Sequence, residues 1–291
     1  MKNVLIFGGD GQLGWSLKKV VGNTESLFQY HFLGSKEGDV LDVASLDLLF
    51  QKYKPAYIVN CAAYTAVDKA EEDIDAAFDI NAQGAENLGI LCKDNNSCLI
   101  HISTDFVFDG IKTSPLKEED NTNPIGVYGL SKLKGEEAIR RSDCEYFILR
   151  TSWLYSEFGN NFLKTMLRLA ETKKSLSVVA DQVGTPTYAG DLAQFIVYLI
   201  SNNKSGRDTY HYSNEGVASW YDFAREIFAV AKLDVKLEPI PTENFPTLAK
   251  RPAYSVLSKE KLRTDFNYNI PNWKDSLKEC LENIKSCPIK T

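Results

Sequence analysis

The stretch Val4-Leu5-Ile6-Phe7-Gly8-Gly9-Asp10-Gly11-Gln12-Leu13-Gly14 decides the fold. Four apolar residues in a row read as a strand buried on both faces. Glycines at 8, 11 and 14 then turn the chain tightly, and a helix opens behind them. Backbone of this kind approaches a pyrophosphate closely, and the helix N-terminus favours its negative charge. A glycine-rich turn alone marks only a turn. Between a strand and a helix at the start of the chain it marks a dinucleotide site, with Gly8, Gly11, Gln12, Leu13 and Gly14 as its residues.

Working outward, Tyr57-Ile58-Val59, Cys98-Leu99-Ile100-His101-Ile102 and Phe147-Ile148-Leu149 are further runs of buried-strand type. Helical patterns separate them over 13–21, 46–53, 76–92 and 131–141. This alternation predicts an α/β protein, a Rossmann-type doubly wound parallel sheet covered on both sides. Beyond Trp153 the rhythm loosens. Helical patterns over 162–172 and 192–200 flank a short strand at 176–179, and two more follow at 220–231 and 273–284. Pro239, Pro241, Pro246 and Pro252 punctuate the stretch between the last two. The expected organisation is a dinucleotide-binding domain over 1–152 and a smaller, interleaved C-terminal substrate-binding lobe over 153–291. About 176–214 is expected to return to the first domain.

Composition excludes other classes. The 291 residues are 44% hydrophobic, enough for a full core, and 33 basic against 39 acidic residues leave a net charge of −6. No basic face for nucleic acid is expected. Six cysteines without C-x-x-C spacing and only three histidines argue against zinc and for free thiols. The N-terminal apolar run has four residues, and the longest later one, Phe195 to Ile200, is far short of the ~18 that span a bilayer. A soluble, cytoplasmic protein without membrane contact is expected.

Two features speak to chemistry. The second strand, about 27–33, ends in Gly34-Ser35-Lys36 where an acidic residue often grips the NAD ribose. A small residue, a hydroxyl and a lysine suit a 2′-phosphate, which favours NADPH; Glu37 and Asp39 keep NADH open, and Lys36 as a solvated loop residue is the plain alternative. Second, Tyr128-Gly129-Leu130-Ser131-Lys132 places a phenol and an ammonium one helical turn apart. A neighbouring cation is expected to lower the phenol from ~10, making Tyr128 a general acid for a carbonyl oxygen. That spacing is common by chance. Its weight comes from Ile102-Ser103-Thr104-Asp105, which ends the fourth predicted strand, where open parallel sheets bind ligands.

These motifs, with Asn60-Cys61-Ala62-Ala63 and Asn81-Ala82-x-Gly84-x-x-Asn87-Leu88, make the chain similar to extended short-chain dehydrogenases/reductases. Within that superfamily it closely resembles the dTDP-4-dehydrorhamnose reductases. The matching blocks are Thr65-Ala66-Val67-Asp68-Lys69-Ala70-Glu71, Thr104-Asp105-Phe106-Val107-Phe108-Asp109-Gly110 with Ser103 before it, Arg150-Thr151-Ser152-Trp153, Asn160-Asn161-Phe162, Asp181 through Thr187, and Arg251-Pro252-x-x-Ser255-x-Leu257. They extend over nearly the whole chain.

The resemblance implies NAD(P)H-dependent reduction of the C4 ketone of dTDP-4-dehydro-L-rhamnose. Tyr128 would donate the proton, Lys132 would bind the nicotinamide ribose, and Thr104 would hold the C4 oxygen. Asp39 and Val40 would flank the adenine, and Ala62, Ala63, Tyr64 and Thr65 would run beneath the cofactor, with Asn81 nearby. Val67, Asp105 and Trp153 would contact the dTDP-sugar. Arg251 would either grip the diphosphate or form a surface ion pair. Some relatives dimerise around Mg²⁺; Ser16 and Gly190 stand where those carry glutamates, so a homodimer here is expected to lack that metal. A Tyr–Lys–Thr site is also expected to need no histidine. The rivals are a reductase of another dTDP-4-keto-6-deoxysugar and a non-catalytic NADP-binding regulatory subunit of the same fold. An Asp-Glu pair of dehydratase type is missing, since Phe106 follows Asp105.

Overall fold

The computed structural model describes residues 1–22 and 27–286; Cys287, one of the six cysteines, lies outside them. The first half runs β1 (Lys2–Phe7), α1 (Gln12–Gly22), β2 (Phe28–Leu33), α2 (Val43–Tyr53), β3 (Pro55–Asn60), α3 (Val67–Ala70), α4 (Ile74–Phe78), α5 (Gly84–Asp94), β4 (Cys98–Thr104), α6 (Val127–Ser142) and β5 (Glu145–Thr151). The second half runs β6 (Leu154–Tyr155), α7 (Phe162–Ala170), β7 (Ser175–Val179), β8 (Val183–Gly184), β9 (Thr187–Tyr188), α8 (Ala189–Ser201), β10 (Arg207–His211), β11 (Ala218–Ser219), α9 (Trp220–Ala231), β12 (Lys236–Ile240), α10 (Glu260–Phe266) and α11 (Trp273–Ser286).

Local chemistry sets several boundaries. Helix α2 starts ahead of Leu46 because the Asp42 carboxylate caps it, accepting from the Ser45 N–H at 3.1 Å. Ser219 and Asp222 form a reciprocal capping box at the head of α9. The helix expected over 76–92 is broken in character: a π-helical turn, Asp79–Gln83, joins α4 to α5.

Six strands form one parallel sheet in the order β2-β1-β3-β4-β5-β10. Alternate residues of β1 enter two different cores. Val4 and Ile6 join Leu13 and Leu17 of α1 and Phe195, Ile196 and Leu199 of α8. Leu5 and Phe7 join Phe50 of α2, Leu88 of α5 and Ile139 of α6. Both faces are covered, as the uninterrupted apolar runs require. Strand order reverses between β1 and β3, which sets a crevice at the carboxyl edge, the binding position of doubly wound sheets.

A third core, including Tyr155, Leu163, Phe223, Ile227, Trp273 and Leu277, holds the C-terminal lobe together. Here one expectation is corrected. The strand at 176–179 does not rejoin the main sheet; β7 pairs with β12 in a separate two-stranded sheet. Only its last two residues are buried, whereas a central strand needs apolar cover on both faces. The chain returns to the first domain at α8, which packs on α1, and β10 then extends the sheet beside β5. No helix among the described residues is long and apolar enough to cross a membrane.

Candidate active site

The turn after β1 is built by close approach. Gly8 has φ +74°, and a Cβ there would lie 2.6 Å from the Ala62 nitrogen. Only glycine lets this turn press against the 61–66 loop that follows β3. At Gly14 a Cβ would come within 2.6 Å of the Gly8 carbonyl, and Gly11 closes the turn by donating to the Gly8 carbonyl at 3.0 Å. The residues present therefore fit a pyrophosphate held by backbone. Leu13 sends its side chain into the core, so any contact it makes to a ligand runs through its backbone. The Gln12 amide oxygen accepts from Ser156 at 3.1 Å and Asn161 at 2.9 Å, tying the turn to the lobe.

At the far end of the crevice, Asp39 is exposed and accepts from the Leu41 N–H at 3.0 Å. Val40 is buried, and its carbonyl accepts from Asn87 at 2.9 Å. Gly34 is overhung by the Asp10 carboxylate, with Glu37 beside it. The end of β2 thus carries two carboxylates as well as the exposed Lys36, which makes it less basic than Gly34-Ser35-Lys36 alone suggests. Of the loop after β3, Ala62, Ala63 and Tyr64 are half-buried and Thr65 is exposed. Asn81, expected at the cofactor, lies buried beneath this loop. It accepts from the Tyr64 N–H at 2.9 Å and donates to the Tyr64 carbonyl at 3.1 Å and to Ser131 at 3.0 Å. Its amide is spent on shaping the loop and fastening it to α6.

At the carboxyl end of β4, the buried Thr104 hydroxyl donates to Asp105 at 3.1 Å and accepts from the Phe106 N–H at 3.2 Å. Tyr128 stands half-buried in the first turn of α6, its ring edge-to-face with Phe106 at 5.5 Å and its hydroxyl near Thr104. Burial pushes the phenol up to about 12; Thr104 pulls it back in part and Asp105 adds to the rise. This corrects the expectation that Lys132 lowers it. The lysine shares the helix face, but its Nζ points to the sheet, donating to the Ile102 carbonyl at 2.6 Å and lying 3.2 Å from His101 Nε2. Burial brings Lys132 down to about 8, against the opposing pull of Glu136 and Cys61. The amine, and not the phenol, is the group moved towards neutral pH. A histidine does lie beside the site, since His101 touches Lys132. Burial also lifts the Asp105 carboxyl to about 6, with Ser255 and Thr104 offsetting part of the rise.

Beneath the site lies a buried cluster whose central pair, Glu136 with Arg150, no sequence spacing announces. Glu136 accepts from Arg150 twice, at 2.9 and 2.7 Å, from Arg140 at 2.8 Å and from Ser103 at 2.6 Å. These donors hold its carboxyl below the usual carboxylate range despite complete burial. The cluster joins α6, β4 and β5 directly under the reacting edge.

On the lobe side, Trp153 is held at φ +47° and stacks on Trp220, ring centres 3.7 Å apart and planes within 9°. Such a backbone for a bulky residue is a strained one, and strain of this kind gathers at functional sites. Trp220 donates to Gln182 at 3.2 Å and packs on Phe162. Beside them opens a cavity of about 410 Å³ lined by Phe162, Met166, Gln182, Phe245 and Arg251 among others. Trp220 was missed in the sequence reading; its capping box locates the helix but not what its side chain faces. Arg251 grips Asp68 through both nitrogens, at 2.7 and 3.2 Å, and also lines this cavity. Val67 opens α3 next to Asp68. A second cavity, about 580 Å³, lies between α1, α8 and α11 and includes Ser16, Lys19, Glu157 and Gly190; Ser16 donates to the Gln12 carbonyl at 2.9 Å.

A crevice at a strand-order reversal, a glycine cradle on one side and Thr104, Tyr128 and Lys132 on the other define an extended short-chain dehydrogenase/reductase. Comparison with known proteins narrows this. The RmlD substrate binding domain family matches residues 1–286. The chain is 40% identical to the dTDP-4-dehydrorhamnose reductase of Aggregatibacter actinomycetemcomitans, covering 96% of this chain and 98% of that one. Among solved structures, a dTDP-4-dehydrorhamnose reductase of Clostridium acetobutylicum superposes with a TM-score of 0.93 at 41% identity, covering 97% of this chain and 99% of that one. That of Bacillus anthracis, solved in complex with NADP, gives 0.92 at 40% identity, covering 97% and 100%. The chain belongs to the dTDP-4-dehydrorhamnose reductase family.

Proposed function

We propose that this chain reduces the C4 ketone of dTDP-4-dehydro-L-rhamnose to dTDP-L-rhamnose, using NADPH, with NADH as the alternative reductant. The observation that carries the reading is the half-buried Tyr128 phenol beside Thr104 at the carboxyl edge of the sheet, with Lys132 one turn further along α6. The full-length relatives of that name support the substrate, and the NADP-bound Bacillus anthracis relative supports the cofactor.

In this reading Gly8, Gly11 and Gly14 would hold the pyrophosphate, and the nicotinamide, when bound, would supply hydride to C4. Tyr128 gives its proton to the C4 oxygen, so that ketone, hydride and proton make the alcohol. A phenol near 12 keeps that proton throughout the physiological range, and the acid form is always present. Thr104 orients the oxygen by its hydroxyl. Lys132 would hold the nicotinamide ribose, and in its charged form it would favour the phenolate as the proton leaves. The Trp153–Trp220 stack and its cavity offer an apolar wall to the sugar nucleotide, and Val67 and Asp105 would contact the sugar. The enzyme would work in the cytoplasm, and a homodimer would form without a Mg²⁺ bridge, since Ser16 and Gly190 supply no carboxylate.

The test is cofactor oxidation by the purified chain with dTDP-4-dehydrorhamnose generated in situ, NADPH and NADH in parallel, and identification of the product. Oxidation matched by dTDP-L-rhamnose is expected. Absence of oxidation would favour a binding subunit, and turnover only with another dTDP-4-keto-6-deoxysugar would move the substrate.

A further inference from the structure

Hydrogen-bond accounting around Lys132 leads to a residue outside the Tyr–Lys–Thr set. His101 lies on β4 and is buried. Its two ring nitrogens face two donors. Asn60 Nδ2 is 3.1 Å from Nδ1, and Lys132 Nζ is 3.2 Å from Nε2. The Asn60 side chain cannot be turned round, because its oxygen accepts from the Ala62 N–H at 3.1 Å. Asn60 therefore presents N–H to the ring. Burial and the nearby lysine keep the imidazole neutral, and a neutral imidazole has one donor and one acceptor.

The consequence is a conflict that depends on charge. With a neutral amine at Lys132, no donor faces another: Asn60 donates to Nδ1, Nε2–H donates to the amine lone pair, and one amine N–H donates to the Ile102 carbonyl. With an ammonium, which has no lone pair, one donor must face another, at Nε2 or at Nδ1. Buried groups left in that state are costly. We propose that Asn60 fixes His101 as the Nε2–H tautomer, making His101 a positioning residue that turns a donor towards Lys132 and favours its neutral form.

The other groups facing Lys132 oppose or leave this bias. Glu136, one turn on along α6, favours the ammonium but is committed to Arg150, Arg140 and Ser103. The Cys61 thiol, beyond β3, is pushed up by burial to about 12 and is protonated at neutral pH. Tyr128 is likewise protonated there. The inference rests on Lys132 being the active-site lysine of the proposed reductase. It separates the two jobs of that lysine: charge is supplied only when the site tolerates it, within reach of neutral pH.

The test uses the full chain labelled with ¹⁵N-histidine and ¹³Cε-lysine, with His101→Gln and Lys132→Met assigning the signals. Above the Lys132 titration, His101 is expected to show the Nε2–H tautomer; an Nδ1–H ring there would overturn the proposal. His101→Gln, whose amide oxygen can accept from the ammonium, is expected to move the Lys132 titration up by about one pH unit. Asn60→Ala, which frees the ring to turn its acceptor to Lys132, is expected to do the same. Should Asn60→Ala fail to fold, His101→Gln carries the test, and an unmoved titration in it refutes the proposal. Neither readout uses turnover. Failure of the reductase reading would appear separately, as absent cofactor oxidation by wild-type protein with its tautomer intact.

Discussion

The buried carboxylate beneath the site makes the sharpest stability prediction. Glu136→Gln keeps the side chain's volume but replaces a carboxylate oxygen with an amide N–H₂ against the Arg150 guanidinium. Glu136 is fully buried and the Arg150 side chain is 3% exposed, so water cannot rescue the unpaired charge. Breaking a buried pair of this kind costs about 3–5 kcal/mol, a large part of the ~5–15 kcal/mol that holds a typical domain together. Urea denaturation of wild type and variant at pH 7 measures it. Because the Glu136 carboxyl is held below its ordinary 4.5, its contribution is present above that value and is lost as pH falls through the folded-state titration; the gap between the two proteins should narrow in acid. Replacing both partners, Glu136→Leu with Arg150→Met, should recover most of the loss, since no buried charge is then left alone. A Glu136→Gln protein within 1 kcal/mol of wild type would refute the reasoning.

Other consequences follow from neighbouring residues. Burial pushes the Asp105 carboxyl from its ordinary 3.8 up to about 6; its own contribution to stability should therefore fall by about 3 kcal/mol as pH rises from 4 through 6. Asp105→Asn should remove that slope in pH-dependent unfolding, and an unchanged slope would count against it. Gly184→Ala would place a methyl 2.8 Å from the Trp153 ring and from Ser255, costing about 1–3 kcal/mol and weakening the exciton circular dichroism of the stacked indoles. An unaltered couplet would show that the stack is not packed as described. Trp220→Ala should raise KM for the sugar nucleotide by about tenfold, for the loss of roughly 1.4 kcal/mol of contact, while the Kd for NADPH stays unchanged.

What could be read from the sequence was local. The turn at Gly8–Gly14 needs only its own glycines and the flanking strand and helix, and the helical pattern over 220–231 places α9. Tyr128 and Lys132 share a helix face because helices repeat every few residues. Their ionisation is another matter. It depends on the Ile102 carbonyl and on His101, which reach Lys132 through the packing of α6 on the sheet. Glu136 with Arg150, Trp153 with Trp220, and Arg251 with Asp68 are likewise partners on different elements, and no period along the chain records them. The short strand β7 illustrates the same limit: its apolar run resembled a sheet strand, but half-exposed residues and a partner at β12 put it in the lobe.

The central claim is that Tyr128 is the proton donor of a reductase. Its most direct measurement is turnover of dTDP-4-dehydrorhamnose by Tyr128→Phe beside the NADPH dissociation constant of the same protein. Loss of the acid should lower kcat by about 10²–10⁴ while NADPH binds as it does to wild type. Reduction at a near-normal rate would contradict the account.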